Sequence, residues 1–219
     1  MKNILIMGAT GMIGGEALLS ALMNPKIEQV KVIVRHSTKI KHPKLTEIIE
    51  EDFGNFQKLK PHLKGVDACI YCIGVYTGCV SKEVFSKVTV DMTRDFASLL
   101  KQESPNTTFC FLSAAGADET QKSKILFMRE KGKAENILKS LDFKVLNIFR
   151  PWYIYPVVPR KEPTFFYKIM RVIYPNFLAK IWPNCGITSR VLATAMVKSV
   201  FKTEKLTVFE NHEIKEFYK

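Results

Sequence analysis

The first turn of the chain constrains it most. MKNILIMGATGMIGGEALLSAL opens on an apolar run, Asn3 to Met7, that reads as a short buried strand. From Met12 the apolar positions Ile13, Leu18, Leu19 and Leu22 recur near helical period. Between the two stand Gly8, Gly11 and Gly14, with Gly15 directly after. Glycine in an element interior costs roughly 0.5–1 kcal/mol relative to alanine, so the cluster needs a backbone reason. A strand-to-helix turn that carries a dinucleotide supplies one. Small residues permit the tight turn, the approach of backbone to a pyrophosphate, and close packing of helix on sheet. The helix N-terminus then offers free N–H groups to an anion. Contacts to a dinucleotide are therefore expected at Gly8, Thr10, Gly11, Met12, Ile13 and Gly14.

The pattern repeats downstream. Glu28 to Arg35 reads as a second buried strand and Leu45 to Asp52 as a third, followed by a short helix over Gln57 to Leu63. Asp67 to Gly74 predicts a fourth strand. Lys82 to Gln102 predicts a long helix, with Val84, Phe85, Val88, Met92, Phe96, Leu99 and Leu100 on its apolar face. A fifth strand over Thr107 to Ala114, a helix over Ile125 to Ser140 and a sixth strand over Phe143 to Phe149 complete the series. Strict alternation of this kind predicts an α/β fold with a doubly wound, mostly parallel, Rossmann-like sheet. Its 219 residues suit a single domain over 1–219.

At Pro151 the composition changes. Pro151, Pro156, Pro159, Pro163, Pro175 and Pro183 punctuate a segment that also holds Trp152, Tyr153, Tyr155, Phe165, Phe166, Tyr167, Tyr174, Phe177 and Trp182. Proline at this density argues against another strand–helix unit. A small C-terminal substrate-side lobe or lid over 151–183 is expected instead, followed by a helix over Thr188 to Phe201 and a late strand over Leu206 to Phe209. With Lys168, Arg171 and Lys180 interleaved, 165–182 has three readings: a cap on an apolar substrate pocket, a homodimer interface, or a contact with an anionic membrane surface. Pro175 and Pro183 interrupt any long amphipathic helix and weigh toward cap or interface, leaving the chain a monomer or a homodimer.

Bulk properties narrow the classes. A composition of 47% hydrophobic and 25% charged residues is that of an ordinary globular chain. The net charge is +12, and half of it falls after residue 150. No recognised nucleic-acid motif accompanies it, so a solvated basic surface is expected and no nucleic-acid partner. Five cysteines, an odd number, are read as reduced thiols. Cys69 and Cys72 lie in an apolar strand and lack a second pair, which predicts buried small side chains and no metal. No leader-like segment precedes the first strand, and no stretch of about 18 uncharged apolar residues occurs, which predicts a cytoplasmic protein.

The choice of dinucleotide rests on the end of the second strand. An acid there accepts hydrogen bonds from ribose hydroxyls, whereas an arginine accommodates a 2′-phosphate. Here the strand runs into Arg35, His36, Ser37, Thr38 and Lys39, with no acid between Val30 and Ile40. NADP is therefore expected over NAD, with Arg35 as its anchor. Asp52 and Phe53, at the end of the third strand, are expected near the adenine.

Together these residues resemble the extended and atypical short-chain dehydrogenases, in particular the small NAD(P)-binding, epimerase/dehydratase-like branch related to the Tat-interacting oxidoreductase-like proteins. The resemblance covers most of the chain. It is carried by GATGMIGG at 8–15, DF at 52–53, CIG at 72–74, FLSAAGAD at 111–118, EKGKAE at 130–135 and FRPWYIYP at 149–156, the first and last being the most specific. It implies further cofactor contacts at Ile73, Gly74, Lys131 and Pro151, and a small, apolar substrate near Tyr76, Trp152, Tyr153 and Tyr155. In that family a serine, a tyrosine and a lysine four residues after it carry the hydride chemistry, the tyrosine exchanging the proton. Ser113 matches the serine and Lys131 the lysine, but the tyrosine position is Phe127. A phenyl ring exchanges no proton. No tyrosine in the chain is followed four residues later by lysine, the nearest imitation being Tyr167 with Arg171. Two functions remain open: an NADP-dependent oxidoreductase whose proton comes from water or from Tyr76, Tyr153 or Tyr155, and a non-catalytic NADP-binding sensor or adaptor.

Overall fold

The first apolar run forms strand β1 (Lys2–Met7), and the glycine turn leads into α1 (Met12–Leu22). β2 (Ile27–Val34) and β3 (Leu45–Ile49) follow, then a 3-10 turn over Phe56–His62 and β4 (Ala68–Tyr71). The long helix expected over Lys82 to Gln102 is present in three parts, α2 (Lys82–Ser86), a π-helical turn over Lys87–Asp91 and α3 (Met92–Glu103). Next come β5 (Thr108–Leu112), α4 (Leu126–Ser140), β6 (Val145–Arg150) and β7 (Tyr153–Tyr155). α5 (Phe165–Ile173) runs through a π turn at Tyr174–Leu178 into the short α6 (Ala179–Ile181). The chain closes with β8 (Gly186–Thr188), α7 (Ser189–Ser199), β9 (Leu206–Glu210) and α8 (Asn211–Tyr218). This computed structural model describes residues 1–160 and 164–218; Pro163 lies outside them.

Seven strands form one sheet in the order β3-β2-β1-β4-β5-β6-β9, every neighbouring pair parallel. The fold is the Rossmann-like α/β sheet that the alternation predicts. In β1, Ile4 and Ile6 join one core and Leu5 and Met7 the other, so both faces are dry and the strand reads as an unbroken apolar run. The first core holds Ala17 and Leu18 of α1 with Leu192 and Met196 of α7. The second holds Phe56, Phe96 and Leu100, with Leu138 of α4.

Two expectations are corrected. β3 ends at Ile49, so Asp52 and Phe53 stand in the loop after it. The proline-rich segment does contain a strand and a helix: β7 pairs in parallel with β8, and α5 lies between them. Proline permits this because Pro156 and Pro159 precede α5, while Pro175 opens the π turn, where the widened turn accommodates a missing N–H. α8 has no counterpart among those expectations. Its apolar residues in contact with the core, Ile214 and Phe217, are too few to register as a period.

The carboxyl ends of the later strands are held by one guanidinium. Arg150, the last residue of β6, donates from Nε to Glu135 of α4 at 3.0 Å and from Nη2 to the same carboxylate. Its Nη1 reaches Glu210 of β9 at 3.2 Å, and Nη2 also reaches Glu119 at 2.5 Å. Glu135 is 0% exposed, and its hydrogen bonds are the first cause that holds Arg150 above the ordinary arginine range. Removing one partner of such a pair strands a buried charge. Arg150→Met should therefore destabilise the protein by about 3–5 kcal/mol in urea unfolding, and Arg150→Met with Glu135→Leu should recover most of that loss.

Candidate functional site

β1 and β4 are hydrogen-bonded neighbours from which the sheet grows outward in both directions, so a crevice opens past their carboxyl ends. Both flanks of that crevice demand glycine. Gly8 has φ +82°, and a Cβ on it would lie 3.0 Å from the Cys72 carbonyl. A Cβ on Gly14 would lie 2.1 Å from the Gly8 carbonyl oxygen, so α1 crosses the exit of β1 at backbone contact. Gly11 caps α1 with no side-chain hydrogen bond, its own N–H donating to Gly8 O at 2.9 Å, and no acid stands in the first turn. This bare, uncapped helix start fits a pyrophosphate. Thr10 and Gly11 are exposed there; the Ile13 side chain is buried in the core, leaving only its backbone to the site, and Met12 is half-buried.

Arg35 is exposed just past β2. The loop behind it is fastened by a residue that sequence reading missed. Glu47 of β3, level with Val32 of β2, accepts from Ser37 Oγ at 2.7 Å, from Thr38 N at 2.8 Å and from the Thr38 hydroxyl. The hydroxyl bond from Thr38 is the first cause that lowers the Glu47 carboxyl below its ordinary range. An acid is thus close to the β2 end, but its oxygens are already occupied. Only strand register reveals it. Asp52 is exposed and accepts from Gly54 N at 2.7 Å, while Phe53 packs edge-on against Phe56 at 6.1 Å.

At the other end, Ser113 and Lys131 meet at the exit of β5. Lys131 donates from Nζ to Leu112 O at 3.0 Å and sits 5.2 Å from the Phe111 ring centroid. Burial pushes its pKa down to about 8, against the opposing pull of Glu135. The Ser113 hydroxyl donates to Glu135 Oε1 at 2.5 Å. The carboxylate that answers Arg150 also takes this proton. Phe127, one turn before Lys131 on α4, packs against Phe85 at 6.2 Å. Ile73 is half-buried, Gly74 is exposed, and the carbonyl of the buried Pro151 accepts from Ala115 N at 2.9 Å. Burial raises the Cys72 thiol to about 12, and among the described residues no group of three or more His, Cys, Asp or Glu is placed to hold a metal.

The aromatic candidates separate. Tyr76 meets Tyr167 at 5.2 Å, Tyr153 meets Tyr174 at 5.2 Å and Tyr155 meets Tyr174 at 5.6 Å, with the Arg160 guanidinium 5.7 Å from the Tyr76 ring. Tyr167 and Tyr174 were not among the sequence candidates; they belong to the cluster because one side of α5 and its π turn faces it. Trp152 is 65% exposed, and its backbone N–H donates to Asn211.

A family model described as NAD(P)H-binding matches residues 8–154. Curated relatives include the mitochondrial protein fmp52 of Emericella nidulans, 27% identical over 160 residues that cover 70% of this chain and 67% of the relative. The mitochondrial FMP52 of Debaryomyces hansenii is 28% identical over 148 residues, 67% of this chain and 64% of its own length. The chain thus spans about two thirds of these relatives. Their names overturn the cytoplasmic location expected from the sequence. Among solved structures, the Bordetella bronchiseptica enzyme WbmH in complex with NAD+ superposes with a TM-score of 0.68 at 16% identity, covering 100% of this chain and 79% of that one. The UDP-N-acetylglucosamine 4-epimerase of Methanobrevibacter ruminantium gives 0.70 at 17% identity, covering 95% and 76%.

Two outcomes follow from this geometry. Gly11→Val should leave the chain folded, because the position is exposed and a Cβ there meets only the Gly8 carbonyl oxygen, at 3.1 Å, yet abolish NAD(P)H binding measured by calorimetry, because a branched side chain would fill the glycine turn. For Lys131, the cationic form would attract an anionic nicotinamide cofactor, so NAD(P)H affinity should be flat below pH 8 and fall as pH rises through about 8; Lys131→Met should bind more weakly and without that dependence. Without cofactor, the folded chain releases this proton near 8 and the unfolded chain near 10.5, so the Lys131 contribution to stability should rise with pH between those values.

Proposed function

Because this chain belongs to the NAD(P)H-binding family and has the fold of the extended short-chain dehydrogenases, we propose that it is an NADP(H)-dependent oxidoreductase for acceptors already activated toward hydride. Quinones and enones are the class; simple ketones and alcohols are not. One observation carries this reading: Phe127 stands where a proton donor is needed, while the Ser113 hydroxyl is given to Glu135.

Gly8, Gly11 and Gly14 would hold the pyrophosphate, Arg35 the 2′-phosphate and Lys131 the ribose beside the nicotinamide. When bound, the reduced cofactor supplies a hydride. The protein's part is binding and orientation. Phe127 and Phe85 keep the wall beside Lys131 apolar, and the Tyr76, Tyr153 and Tyr155 cluster gives an apolar substrate a face to pack on. With no hydroxyl one turn before Lys131, the accompanying proton comes from water. Preference for NADP over NAD follows from an exposed Arg35 and a neighbouring acid, Glu47, whose oxygens Ser37 and Thr38 occupy. On the names of the fungal relatives, the setting is mitochondrial.

Calorimetry should give tighter binding of NADPH than NADH by about tenfold or more, the scale of a charged hydrogen bond, with Arg35→Ala removing most of the difference. Equal affinities in the unmodified protein would refute the preference. In turnover with NADPH, quinones or enones should be reduced, and ketones slower by about 10²–10⁴-fold, the usual contribution of a positioned acid. Phe127→Tyr should raise ketone turnover. Rapid ketone reduction by the parent overturns the reading, and NADPH binding with no consumption by any acceptor would replace it with a non-catalytic sensor.

A further inference from the structure

The segment 164–182 has two unlike sides. Tyr167 and Tyr174 turn inward onto Tyr76, Tyr153 and Tyr155, and Tyr174 is buried. Outward stand Phe165, Ile169, Val172, Phe177, Ile181 and Trp182, with exposures from 40% at Ile169 to 80% at Ile181. Their spacing keeps one side. The steps are four and three along α5, then five across the π turn, whose extra residue keeps Phe177 in line with Val172, then four to Ile181. The tyrosines already serve the core, so packing within the chain does not explain the outer row. Large apolar side chains grouped in this way mark an interaction surface.

Charge identifies the occupant. No Asp or Glu occurs from Thr164 to Trp182, while Lys168, Arg171 and Lys180 stand among the apolar residues there. Lys168 and Lys180 are exposed on the same segment as the apolar row. Aromatic and aliphatic side chains flanked by lysines suit a bilayer interface, where the rings enter the headgroup region and the amines meet anionic lipid. Among the described residues no helix is long and apolar enough to cross a membrane. We propose that α5, the π turn and α6 form a surface that docks the protein, peripherally, on an anionic phospholipid bilayer.

Flotation with vesicles of phosphatidylcholine mixed with phosphatidylserine, against phosphatidylcholine alone, tests this on the full chain. The parent should float with the anionic vesicles and be released by salt. Lys168→Gln with Lys180→Gln should weaken binding roughly thirtyfold, at the usual strength of a lysine near an anionic surface. Phe177→Ser with Trp182→Ser should abolish it, and unchanged thermal melting would confirm that both variants fold. Equal binding to the two vesicle types, or binding to neither, overturns the proposal. So does a dimer in light scattering that Phe177→Ser with Trp182→Ser converts to monomer, because a second copy then covers the face.

Discussion

A carboxylate shut off from water has to be paired, and Glu135 is such a group. Arg150 answers it from the end of β6, and the same guanidinium reaches Glu210 on β9 and Glu119 before α4. Buried ion pairs contribute little net stability because desolvation offsets their attraction; their effect is to penalise any arrangement that separates the partners. Here that penalty fixes α4 against the carboxyl ends of β6 and β9. It also captures Ser113, whose hydroxyl completes the hydrogen bonding of the carboxylate. Ser113, which matches the family's serine, is thereby tied to the Arg150–Glu135 pair.

The backbone and the side chains of the site differ in this respect. The contacts that shape a dinucleotide cradle are backbone contacts, Gly8 against Cys72 and Gly14 against Gly8, and they are intact. Lys131 also keeps its place, with Leu112 O as its partner and a pKa lowered to about 8 by burial. The Ser113 hydroxyl is engaged by Glu135, and Phe127 carries none. On the function proposed above, a missing acid–base group costs about 10²–10⁴ in rate on an unactivated carbonyl and little on an activated acceptor.

The C-terminal segment resolves a different conflict. Its prolines and aromatics argue against regular structure, yet α5 forms because Pro175 falls where the helix already widens into a π turn. That turn does two things together: it lets Tyr174 reach the tyrosine cluster, and it holds Phe177 on the outer side with Val172. One strip of chain thus packs on the tyrosine cluster with one side and presents an apolar exterior with the other.

What the sequence determined by itself is local. Apolar runs of strand length, helical periods and a glycine turn between the first strand and helix set the elements, because burial on a sheet and backbone contact at Gly8 and Gly14 demand those residues at those spacings. Phe127 was legible for the same reason, its place fixed by a four-residue step to Lys131 along one helix. What only the tertiary structure decided depends on partners far apart in the chain. Glu47 enters the loop after β2 because β3 lies in register beside it, and Tyr167 and Tyr174 join Tyr76 because the segment folds back over the strand ends. The hydroxyl of Ser113 turns to Glu135 because Arg150 has drawn that carboxylate to the end of β5. Periodicity records which side of an element is buried; it carries no information on which buried charge stands across from it, and that opposition sets the hydrogen bonding of Ser113 and Glu135.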